Sequence, residues 1–126
     1  MVGGVIMEDM RQEKLEALAT LADFNGKILQ NIPILIKELS GQRLDDTDKF
    51  LDGVIKAINW EVEVLNGTMD VLNEGMERIS KDIINKRIVA LSEAVKGKDD
   101  AQIAQAFRVL LPELEKLGEV AKEVIA

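Results

Sequence analysis

The side chains with which this chain could do chemistry are carboxylates and arginines. Among its 126 residues there is no His, Cys or Tyr, so the commonest bases, thiol nucleophiles and transition-metal ligands are missing, as is a phenolic acid. Mg²⁺ needs only oxygen ligands. Carboxylates at i and i+3 share a helix face, so pairs at that spacing are the first candidates. Glu13 and Glu16 form one such pair, Glu74 and Glu77 another. Helical nucleotide pyrophosphatases add a Glu-x-x-Asp pair on a second helix. Here Glu38 is followed at the third position by Gly41, and Glu93 by Lys96. The second half of the site is absent, and these carboxylates read as solvated helix-face charge. Asp45, Asp46, Asp48, Asp52 and Gly53 lack the spacing and the closing Glu of a calcium loop; they read as helix-capping charge.

Arg11, Arg78, Arg87 and Arg108 fall on different segments, and nothing in their spacing gathers them around a dicarboxylate as an all-helical mutase would require. A di-iron bundle takes Glu-x-x-His pairs, which cannot occur without His. The nine glycines include no G-x-x-x-x-G-K phosphate loop. The expectation is therefore no catalytic residue, no metal and no cofactor. A helical enzyme with carboxylate-bound Mg²⁺ or an Arg-lined site, pyrophosphatase-like or mutase-like, stands as the alternative.

A different kind of chemistry, recognition of another helix, is written into Phe50 to Ile79. Leu51, Ile55, Ile58, Val62, Leu65, Met69, Leu72, Met76 and Ile79 follow a four-three spacing that lays one apolar seam along a helix. A second, thinner stripe repeats the spacing on another face: Gly53, Ala57, Trp60, Val64, Gly67 and Val71. Gly53 and Gly67 lie seven residues either side of Trp60, so two copies of the helix about a twofold axis near Trp60 would be self-complementary. That stripe is the candidate interface of a homodimer or of a complex with a partner helix. The alternative is that Trp60 packs under Val2 to Met10 of its own chain or stays half exposed.

The elements that position these residues read as four helices. Val2 to Met7, with Gly3 and Gly4, is predicted to be a flexible N-terminal tail, and the first helix to open near Glu8 or Asp9, whose charges suit a helix start. Leu18, Leu21, Ile28, Ile32, Leu35 and Leu39 give its core stripe. Asn25-Gly26 interrupts that stripe, and Pro33 removes the amide that would bond to Leu29, so a kink or break is expected there. Ser40-Gly41 is the stop. Asp45, Asp46 and Thr47 offer caps for the second helix, the long central one, which runs to about Asn73 with an end at Glu74-Gly75 and a restart at Ser80 or Asp82. Because Met76 and Ile79 stay in register, one continuous helix through Gly75 is the alternative. Ile84, Ile88, Leu91 and Val95 mark the third helix, which ends at Lys96-Gly97. Asp99 with Gln102 resembles a capping box, and Ile103, Phe107, Leu110, Leu114, Leu117, Ala121 and Val124 mark the fourth, bent at Pro112. The prediction is all-α: a single domain folded as an up-down-up-down four-helix bundle.

Composition agrees. Hydrophobic residues at 47% and charged residues at 31% suit one packed core under a solvated surface, and aromatics at 3% with two Pro leave little for strands. A formal charge of −7 and a pI near 4.7 disfavour nucleic acid and anionic membrane as partners. The absence of Cys suits a reducing compartment, and the short apolar run Met1 to Met7 falls below a signal peptide or a membrane span, so a cytoplasmic location is expected. Asn66-Gly67-Thr68 matches a glycosylation sequon inside a helical pattern and reads as chance.

Gly53 to Thr68, with Ile58, Trp60, Val64, Leu65 and Asn66, and the run Ile84-Asn85 through Leu91, Ala94, Asp99, Ala104 and Leu110-Leu111-Pro112-x-Leu114, resemble a family of small all-helical bacterial proteins with no established activity. The resemblance covers roughly the last two-thirds of the chain and implies a helical fold in a bacterial cell. In size, acidity and layout the chain is also similar to flagellar export chaperones. Together these readings make the expected function that of a non-enzymatic interaction module.

Overall fold

The computed structural model describes residues 2–126, with side chains from Met10 onward. Four helices follow one another: α1 (Val2–Leu39), α2 (Thr47–Leu72), α3 (Lys81–Gly97) and α4 (Asp100–Ile125), with no strand among the described residues. Side-chain pairs fix the antiparallel sense of the first two. Arg11, near the start of α1, pairs with Glu74 just beyond α2 at 2.6 Å, while Glu38 at the far end of α1 accepts from the Thr47 hydroxyl at 2.7 Å. With short connections the chain makes an up-down-up-down bundle, the expected architecture.

Helix α1 runs from Val2 without interruption across Asn25-Gly26 and Pro33. The expected break is absent because Asn25 is a seam residue. Leu18, Leu21, Asn25, Ile28, Ile32, Leu35 and Leu39 are all buried at alternating three-four spacing, and packing along the whole line outweighs the local cost of Gly26 and one lost hydrogen bond at Pro33. Pro112 likewise sits inside a continuous α4. The predicted tail, Val2 to Met7, belongs to α1 by its backbone, and its side chains lie outside the described residues.

The seam of α2 keeps Leu51, Ile58, Leu65 and Leu72 from the predicted one, with Ile79 also buried beyond the helix, but its alternate positions fall one residue earlier than predicted. Its buried line is Leu51, Val54, Ile58, Glu61, Leu65, Thr68 and Leu72, while Ile55, Val62 and Met69 are only partly covered and Met76 is 63% exposed beyond the helix end. Helices α2 and α3 are separate, because Asn73 staples the turn between them. Its Oδ1 accepts from the amides of Arg78 (2.8 Å) and Ile79 (2.9 Å), and its Nδ2 donates to the Ile79 carbonyl (3.0 Å). Gly75 supplies the positive φ, +84°, that this turn requires. Ser80 and Asp99 cap α3 and α4, accepting from the amides of Ile83 (3.4 Å) and Gln102 (3.2 Å).

Helix α4 packs on all three others, extensively on α1, less on α3, and lightly on α2, whose main neighbour is α1. The buried side chains fall into two apolar clusters. One holds Ile28, Ile32, Leu35, Ile58, Phe107 and Leu110; the other holds Leu18, Leu21, Leu65, Leu72, Leu117 and Ala121.

Candidate functional site

Opposite its buried line, α2 presents a continuous outer line at four-three spacing: Lys49, Gly53, Lys56, Trp60, Glu63, Gly67 and Asp70. All are exposed except Trp60, which is half-buried. The Trp60 ring meets Phe24 of α1 edge to face, with centroids 5.5 Å apart and planes inclined by 66°, and the Lys27 ammonium lies 5.9 Å from the Phe24 centroid. Phe24 itself remains 37% exposed. On either side of this aromatic pair the α1–α2 surface dips. A depression of about 300 Å³ beside Gly53 and Ala57 is walled by Ile28 and Phe50. Another of about 230 Å³ beside Val64 and Gly67 is walled by Met10 and Ala17. Among the described residues, a Cβ added to Gly53 or Gly67 would meet nothing within 4 Å.

The predicted stripe is thus divided. Gly53, Trp60 and Gly67 lie on the outer line, and Ala57 and Val64 border the α1–α2 groove. Val71 is 4% exposed and belongs to the core, so it is unavailable to a second chain. Trp60 does cover its own fold, through Phe24.

Beneath this face lies a carboxyl that the sequence reading passed over. Glu61 is fully buried, and both its oxygens accept from Asn25 Nδ2, at 3.1 and 3.3 Å. The same amide nitrogen donates to the Leu114 carbonyl of α4 at 3.1 Å. Burial pushes the Glu61 carboxyl from an ordinary 4.5 up to about 7, against the pull of the Asn25 amide, which lowers it. Gly118 makes room for this contact: a Cβ there would overlap Asn25 Oδ1. One polar layer thereby ties α1, α2 and α4 at mid-height, between the two apolar clusters. The signal was in the spacing, since position 25 continues the α1 seam and position 61 lies three residues after Ile58 and four before Leu65. No substrate can reach Glu61, so its role is confined to the interior.

The residues weighed for catalysis do not converge. Glu13, Glu16, Glu74 and Glu77 are all exposed, with Glu74 taken up by Arg11. Glu38 is buried on Thr47. Arg78 pairs with Glu123 at 3.6 Å, and Arg108 donates to the Ser40 hydroxyl at 3.2 Å. Arg87 lines a shallow groove between α3 and α4, about 380 Å³, floored by Ala90, Ala94 and Ala106. Among the described residues no three carboxylates are grouped to hold a metal ion, and no helix is long and apolar enough to cross a membrane. Arg43, which the sequence reading did not single out, clamps the start of α2 to that of α4 through Asp48 (2.8 Å) and Asp100 (2.9 Å). Comparison with protein-family models, with curated proteins and with solved structures found no match.

Proposed function

We propose that the chain is a non-enzymatic interaction module that binds a helix, of a second copy or of another protein, across the outer α1–α2 face. Trp60 carries this reading. It is the single Trp of the chain, it lies half-buried on an exposed Phe ring, and it sits between two depressions bordered by glycine. Each Gly inside a helix costs about 1 kcal/mol relative to Ala. Among the described residues neither Gly53 nor Gly67 has an intramolecular neighbour that needs the missing side chain, whereas a helix laid across Trp60 would use both to come close. A large aromatic anchor flanked by small residues is the composition of an interface centre.

Sedimentation or solution scattering at tens of micromolar is expected to report a dimer, and Trp60→Ala or Gly67→Leu to shift it to monomer. A wild-type monomer, or a dimer indifferent to both substitutions, overturns self-association on this face.

A further inference from the structure

We infer that the partner of this face is a second copy of the chain, its α2 running antiparallel to the first about a twofold axis at Trp60. The inference rests on the outer face being an interface, and it adds the partner and its direction.

The charges on the outer line carry it. Reading away from Trp60 toward the N-terminus, the line holds Lys56, Gly53 and Lys49; toward the C-terminus it holds Glu63, Gly67 and Asp70. The two halves match in size and are opposite in sign. In an antiparallel pair centred on residue 60, each position faces the one equally far on the other side of the centre. Gly53 then meets the partner's Gly67, while Lys56 and Lys49, four and eleven residues before the centre, come beside the partner's Glu63 and Asp70, three and ten after it, offset by one residue or about 1.5 Å. The twofold axis makes every contact twice, so four opposite-charge contacts frame one aromatic centre and two close glycine crossings. A parallel pair would instead set Lys56 on Lys56 and Glu63 on Glu63. A foreign helix would impose no such relation between the two halves of the line.

Four further observations agree. From Lys49 to Asp70 the helix rises about 30 Å, enough for several turns of contact. Helical side chains lean toward the N-terminus of their own helix, so each indole leans over the region of the partner's Gly67, where room exists. The chain as a whole carries a net charge of −7, so two copies repel on average, and this line, balanced between a basic and an acidic half, is a place where they can meet. Within the monomer Lys49 and Glu63 make no ion pair with any described residue. Lys56 pairs with Asp52 at 2.9 Å and Asp70 with Lys14 at 2.8 Å; both are surface pairs that exchange or share partners at little cost.

The test uses the full chain. Lys49→Glu with Lys56→Glu makes the line wholly acidic, and Glu63→Lys with Asp70→Lys makes it wholly basic. Each doubly substituted protein, with its helical circular dichroism intact, is expected to dimerise at least tenfold more weakly than wild type, and an equimolar mixture to regain wild-type dimerisation. Direction is read separately by oxidation of single-cysteine variants, which the Cys-free sequence makes unambiguous. Gly53→Cys and Gly67→Cys are expected to cross-link to each other on mixing and neither to itself. A mixture of charge variants that stays monomeric, or self-linking of Gly53→Cys, overturns the antiparallel arrangement. If the wild type still dimerises and Trp60→Ala still dissociates it, the face survives as an interface with another geometry. A wild type monomeric at tens of micromolar overturns both.

Discussion

Glu61 shows how much one side chain can impose on a small core. Its carboxyl has a single side-chain donor, Asn25, and no water access, so the neutral acid is the better-tolerated form and the folded state holds its proton to about pH 7. The sign of the pH dependence follows. Below about pH 4.5 both folded and unfolded chains carry the proton and no penalty applies. Between there and pH 7 the folded chain binds more protons than the unfolded one, so stability falls as pH rises, and above pH 7 the deficit is constant. From the shift to about 7, the fall is of order 3 kcal/mol, at 1.36 kcal/mol per pH unit. Glu61→Gln, which keeps the shape without the titration, is expected to flatten this part of the stability curve and to be the more stable protein at pH 8. Denaturant unfolding at pH 5, 6, 7 and 8 measures both; an unchanged slope in the variant would show that another group titrates. Asp70 and Asp100, whose carboxyls are held below their usual range chiefly by hydrogen bonds from Lys14 and Arg43, act in the opposite sense and at lower pH.

At the scale of the element, local signals and packing divide the work. Ser80 and Asp99 start helices by supplying hydrogen-bond partners that the helix ends lack, Asn73 holds the turn between α2 and α3 together, and polar residues of this kind are legible in a sequence. The end of α3 is different in detail. Gly97 is its last helical residue, and the left-handed position falls on Lys98, at φ 55°. A residue with a Cβ is strained there by roughly 1 kcal/mol, so Lys98→Gly is expected to raise stability by about that amount. Equilibrium unfolding checks it, and a loss of stability would mean that the Lys98 side chain makes a contact worth more than the strain. In the helix interiors propensity is overruled. Asn25-Gly26 and Pro33 argue for a kink or break, but the buried line running through them carries α1 on as one uninterrupted helix.

Across the whole molecule the Asn25–Glu61 layer separates two apolar clusters, yet α1, α2 and α4 each contribute to both, so the clusters are expected to melt together. Leu110 lies in one and Leu65 in the other, both fully buried. Truncation of either to Ala is expected to cost about 2–5 kcal/mol, with the same single transition seen by circular dichroism and by Trp60 fluorescence. Two separated transitions would show that the polar layer uncouples the ends. On the outside, the same helix α2 carries a line that is basic on one side of Trp60 and acidic on the other, so one element supplies both the core seam and the proposed contact.

The sequence by itself determined the number of helices, their sense and their approximate ends apart from the start of α1, because heptad spacing and capping residues act over a few neighbours. It also placed Leu18, Leu65, Leu110 and Leu114 in the interior. It misplaced half of the α2 seam, since the line through Ile55, Val62 and Met69 is more apolar than the buried line through Val54, Glu61 and Thr68. A reading by hydrophobicity prefers the former. What decides is the presence of Asn25 on α1 and Gly118 on α4 at the same height: only the assembled bundle brings a donor and free volume to Glu61, and with them a buried carboxyl becomes tolerable. The tertiary structure also decided which part of the Trp60 stripe faces outward, because rotating α2 to bury Glu61 takes Val71 into the core and leaves Lys49, Lys56, Glu63 and Asp70 in line with the two glycines on the surface.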